Sequence, residues 1–66
     1  METGKIKKLM KDRGFGFITA NDGKEVFFHR TECTGVEFDT LEQGMMVGFE
    51  LEMVPKGPRA RSVSKA

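Results

Sequence analysis

Arg13-Gly14-Phe15-Gly16-Phe17-Ile18 interleaves rings with glycines in a segment that reads as a strand, and it constrains the fold more than any other stretch. Side chains alternate faces along a strand, so Phe15 and Phe17 point one way while Gly16 and Ile18 point the other. A second apolar run, Val26-Phe27-Phe28-His29, follows a loop containing Asn21-Asp22-Gly23, which is turn chemistry between two strands. With that loop centred near Asp22, the hairpin register opposes Phe17 to Phe27 and Phe15 to His29. Phe15, Phe17, Phe27 and His29 then share one face, and Gly16, Ile18, Val26 and Phe28 share the other. One face must be core, which leaves the other with a cluster of rings that a soluble protein does not normally expose.

The rest of the chain continues the β pattern. Thr3 to Met10 reads as a first strand whose apolar members, Ile6 and Leu9, break strict alternation, so a bend or bulge is predicted. Lys11-Asp12 is a turn. Arg30 to Thr40 is irregular and reads as a long loop beginning with one helical turn. Leu41-Glu42-Gln43-Gly44 turns into a fourth strand, Met46 to Met53, where alternation sets Val47, Phe49 and Leu51 inward and Glu50 and Glu52 outward. Pro55-Lys56-Gly57-Pro58 is a stiff turn, and Arg59 to Val63 alternates as a fifth strand with its basic side chains on one face. No window of about 11 residues holds apolar positions at helical spacing. The expectation is an all-β fold, five antiparallel strands closed into a small barrel, because closure removes exposed edges. At 66 residues, 1–66 forms a single domain; a chain of this size buries only about 60% of its unfolded surface.

Several function classes fall away. A single cysteine, Cys33, excludes an internal disulfide, and with only His29 nearby it cannot complete a zinc site. There is no apolar leader and no run near the ~18 apolar residues of a membrane span, so a cytoplasmic protein with no membrane partner is expected. His29 has no serine, cysteine or carboxylate placed by sequence to complete a catalytic set, so the chain reads as no enzyme, with no cofactor and no small-molecule substrate. Gly14-Phe15-Gly16 is a partial match to a dinucleotide loop, but position 19 is Thr and no helix follows. Arg13 to Ile18 also matches the start of the RNA-recognition-motif octamer, yet that fold's two helices are missing and Ala20 stands where its last aromatic belongs.

The formal net charge of +1 conceals segregation. Lys5, Lys7, Lys8, Lys11 and Arg13 crowd the start, Lys56, Arg59, Arg61 and Lys65 crowd the end, and Thr31 to Val54 carries only acids. Termini on one side of the fold would make a basic surface beside the rings. Bases of single strands stack on exposed rings, each contact contributing about 1–3 kcal/mol, while Lys and Arg neutralise phosphates. The plainer reading, in which Phe15 and Phe17 only pack a core, conflicts with the apolar residues already on the opposite face. Phe38, in a loop between Glu37 and Asp39, reads equally as a lid folded onto the barrel or as a base platform. His29 reads as a stacking or hydrogen-bonding group, and Cys33 as a small buried apolar residue.

On these residues the chain resembles the bacterial cold-shock domain across nearly its whole length. Gly4-Lys5-Ile6-Lys7, Arg13 to Ile18, Val26 to His29, Leu41 to Gly44, Val47-Gly48-Phe49 and Lys56-Gly57-Pro58 are similar to that family's landmarks, in order and spacing. The resemblance implies an OB-fold barrel that binds single-stranded RNA and DNA with a lean towards pyrimidines, and serves as an RNA chaperone or a regulator of transcription or translation. It implies a binding face of Lys7, Arg13, Phe15, Phe17, Phe27, His29 and Phe38, with Lys56 and Arg59 at its rim. The family usually has Trp then Phe where this chain has Lys8 and Leu9, Asn where it has Met10, and an aromatic where it has Arg30. Lys8 and Arg30 therefore join the face as cations, and binding weaker and more salt-dependent than usual is expected. A monomer is expected, with a dimer as the alternative. The competing function is a protein-interaction module that uses the ring face against a protein.

Overall fold

The computed structural model describes residues 2–66. They form strands β1 (Glu2–Met10), β2 (Phe15–Ala20), β3 (Glu25–His29), β4 (Cys33–Gly35), β5 (Met46–Val54) and β6 (Gly57–Lys65), with 3-10 turns at Arg30–Glu32 and Phe38–Thr40. The five longer strands run β3-β2-β1-β5-β6 in antiparallel neighbours, and a parallel contact between Phe27 and Arg59 joins β3 to β6 and closes the barrel. The stretch read as one long loop does begin with a helical turn. It also holds β4, which runs parallel to β6 with Cys33 opposite Val63, and a second 3-10 turn. Three residues are too few to show a period in sequence.

The β2–β3 register is the one that alternation dictates: Phe15 opposite His29, Gly16 opposite Phe28, Phe17 opposite Phe27 and Ile18 opposite Val26. Gly23, with φ of 89°, makes the turn, its N–H donating to the Ala20 carbonyl at 2.9 Å. The irregularity expected in β1 lies at Lys7. Ile6 faces Ile18 but Lys8 faces Phe17, so Lys7 is an extra residue without a partner on β2. The slip turns Leu9 towards the inside opposite Gly16, and brings Lys8 and Met10 onto the outer face beside Phe17 and Phe15.

The interior is filled by Ile6, Ile18, Val26, Phe28, Leu41, Val47, Phe49, Ala60 and Val63, with Phe38 at the margin. Burying each large side chain contributes about 1.5–3 kcal/mol, the main stabilising term available to so short a chain. Gly16 allows a close approach of strand and core: a Cβ there would stand 2.7 Å from the Lys8 carbonyl oxygen and 2.9 Å from the Phe28 ring. The structure corrects Leu51, expected inward and in fact 42% exposed. β5 pairs with β1 only from Met46 to Phe49, so beyond that point no third strand covers its inner side. A second bulge, in β6 with Ser62 at φ of 52°, sets two residues against Phe49 and keeps Val63 inside.

Candidate nucleic-acid interface

Phe15, Phe17 and Phe27 stand half-buried on the outer face of the β2–β3 hairpin, while the residues between them are buried. Their ring centroids form a triangle: 6.0 Å from Phe15 to Phe17, 5.6 Å from Phe15 to Phe27 and 5.9 Å from Phe17 to Phe27. The rings are tilted or edge-on to one another, and such pairs contribute about 0.5–1.5 kcal/mol beyond area burial, which holds the platform before any ligand arrives. His29 extends the strip. Its Nδ1 accepts the Thr31 backbone N–H at 3.2 Å, so in the neutral ring Nε2 carries the proton and is the free donor.

Cations reach this strip from several parts of the chain. Lys8 lies opposite Phe17 across the strand pair. Arg30 donates its backbone N–H to the Gly14 carbonyl at 2.8 Å, and its stem crosses Gly14, where a Cβ would fall 2.7 Å from Arg30 Cδ. Gly14 also needs its φ of 76°, so that position suits glycine twice over. Arg13, exposed, adjoins it. On the other flank Lys56 and Arg59 join Phe17, Phe27, Val54, Gly57 and Pro58 around a hollow of about 510 Å³. A second hollow, about 700 Å³, is lined by Lys5, Lys7, Thr19, Asn21 and Met46 among others, with no ring in its wall.

The 'Cold-shock' DNA-binding domain family matches residues 2–66. The chain belongs to that family. It is 43% identical over 65 residues to the cold shock-like protein CspD of Bacillus cereus, covering 98% of each chain. It is likewise 42% identical to the cold shock protein CspB of Bacillus caldolyticus, with 98% of each covered. Identity to the probable cold shock protein A of Mycobacterium tuberculosis is 45% over 64 residues, 96% of each. The protein is thus a nucleic-acid-binding cold-shock domain on an OB-type barrel.

Not every cation of this cold-shock domain is equally free. Lys7, thrown out by the bulge, pairs with Glu25 at 2.6 Å. Both are well exposed, so the pair is worth at most about 1 kcal/mol and yields readily to a phosphate. Arg59 is held harder, with Nη2 at 3.0 Å from Glu32 Oε2 and Nε at 3.7 Å from Glu52 Oε1. Arg61 shares both acids, at 3.9 Å from Glu32 and 3.2 Å from Glu52. Among the described residues, Lys8, Arg13, Arg30 and Lys56 make no ion pair. Sequence reasoning missed these acidic partners, although outward Glu52 and a hairpin closed at Pro55 to Pro58 do point to Arg59 as its cross-strand neighbour.

Phe38 is corrected. Its ring is 6% exposed and packs edge-on against Phe28 at 6.0 Å, so it folds back as a lid on the core and offers no face to a base in this conformation. Cys33 is half-buried against the same core. Burial first, and the neighbouring Glu32 carboxylate second, push its thiol up to about 11, so it is no poised nucleophile. Among the described residues no three His, Cys, Asp or Glu side chains are grouped to hold a metal ion. No helix there is long and apolar enough to cross a membrane.

Proposed function

We propose that this cold-shock domain binds single-stranded RNA and DNA by stacking bases on Phe15, Phe17 and Phe27, with His29 as a further contact and Lys8, Arg13, Arg30 and Lys56 meeting phosphates. The observation that carries the reading is the ring triangle, half-exposed on one hairpin face and flanked by cations without acidic partners. Binding of this kind keeps transcripts unpaired, which suits an RNA chaperone or a regulator of transcription or translation. The protein acts as a monomeric single domain without catalysis. Its lone, unpaired Cys33 suits a reducing, cytoplasmic compartment. The protein-docking alternative is not favoured, since the chain belongs to a nucleic-acid-binding family.

Lys8 and Arg30 stand where most members carry rings, so part of the binding energy moves from stacking to phosphate neutralisation. Titrating oligothymidine, oligouridine, oligoadenosine and duplex across a salt series tests this. The expected outcome is tighter binding to pyrimidine single strands than to duplex, with log Kd rising steeply with log salt, about 0.7 per phosphate met. Preference for duplex, or no binding at low salt, would refute the function; a flat salt response would refute the role of the cations.

A further inference from the structure

Arg59 borders the hollow beside Phe17 and Phe27, yet its two acidic partners do not. The Nε–Nη2 edge, one of the two sides on which a guanidinium can grip a phosphate with parallel hydrogen bonds, is turned onto Glu32 and Glu52, and the shared Nη2 is thereby denied to the other side as well. Glu32 is the better-buried acid, its side chain only 19% exposed, and it is fixed in the 3-10 turn that follows β3. Glu52 lies directly across from Arg59 on β5, and Arg59 itself sits opposite Phe27 where the barrel closes. Two arginines and two glutamates here sum to zero charge, so this quartet adds little to the attraction of a polyanion.

We propose that Glu32 and Glu52 are positioning residues that withdraw Arg59 from phosphate binding and hold its guanidinium as a flat wall of the ring hollow, where it stacks on a base. A planar cation with one edge tied back still offers its faces, and a guanidinium plane takes a base much as a ring does. This partly restores a platform in a chain with no tryptophan. It also separates Arg59, which stacks, from the phosphate contacts at Lys8, Arg13 and Arg30 and at Lys56 on its own flank. The inference rests on the single-strand reading above.

The test measures affinity for a short oligothymidine across a salt series with wild type, Arg59→Ala, Arg59→Lys and the double variant Glu32→Gln/Glu52→Gln. Arg59→Ala is expected to weaken binding roughly fivefold or more while leaving the slope of log Kd against log salt unchanged. Arg59→Lys keeps the charge between the two acids, and with it the fold, but lacks the plane; it should bind as weakly as Arg59→Ala. Freeing Arg59 in the glutamine variant should steepen the slope by about 0.7, the increment for one further phosphate on a single strand. A slope that falls by about 0.7 in Arg59→Ala, or wild-type affinity in Arg59→Lys, would overturn the proposal while leaving single-strand binding intact. Absence of binding by the wild type would overturn both.

Discussion

Phe27 and Phe28 are neighbours in the chain, carry the same side chain and belong to the same strand, yet they sit in opposite environments. Phe28 has no exposed surface and packs with Ile18, Val26 and Phe49 inside the barrel. Phe27 is half-buried outside, 5.6 Å from Phe15 and 5.9 Å from Phe17, on the wall of a hollow. Only the two-residue period separates them. A residue's chemistry therefore does not tell whether it serves stability or binding; its parity along the strand does. The inner ring is satisfied by its own chain, whereas the outer three pack edge-on against one another and keep part of their surface open.

The largest expected effect comes from breaking the inner side. Phe28→Ala removes a fully buried ring and should cost about 3–5 kcal/mol, a large share of the stability of so small a domain. Urea unfolding should show this as a sharply lowered midpoint. Phe27→Ala, by contrast, removes two edge-on contacts of about 0.5–1.5 kcal/mol each and a ring that is only half-buried, so it should lower the midpoint clearly less. Equal losses at the two positions would erase the distinction between the faces.

Binding should reverse the order. Phe17→Ala/Phe27→Ala removes two of the three outer rings, and at about 1–3 kcal/mol per stacked base it should weaken oligothymidine binding by roughly 30-fold or more. Far-ultraviolet dichroism of the same sample would show the barrel intact. Unchanged affinity in a folded double variant would show that bases do not sit on this face.

How much of this is legible in the sequence follows from the same comparison. The hairpin register, the irregularity at Lys7, the closed barrel and the ring strip all rest on local alternation and turn chemistry, which are written in neighbouring residues. What escaped depends on partners distant in sequence. Glu32 meets Arg59 across 27 positions and Lys7 meets Glu25 across 18. Leu51 is exposed because β1 runs out beside it. Phe38, which resemblance placed among the binding rings, is drawn inward by Phe28, a contact that no period in its own loop encodes.

Cys33 sharpens the comparison at its border, because it lies half-buried between the core and the acidic end of the 3-10 turn. Its thiol is raised from 9.0 to about 11 by burial and by Glu32. The folded chain thus keeps a proton that the unfolded chain loses, so this contribution to stability is present below about pH 9 and is lost as pH rises through about 11. Cys33→Ala has no such titration. The difference in urea midpoint between wild type and Cys33→Ala should therefore shrink, or turn against wild type, between about pH 8 and about pH 10.5, while lysine titrations common to both cancel. Alkylation gives a second readout. At about pH 8 the folded protein should hold roughly 100-fold less thiolate than the urea-unfolded chain, and react correspondingly slowly. Equal reaction rates in the two states, with parallel pH curves for wild type and variant, would mean that Cys33 stands in water with the outer residues.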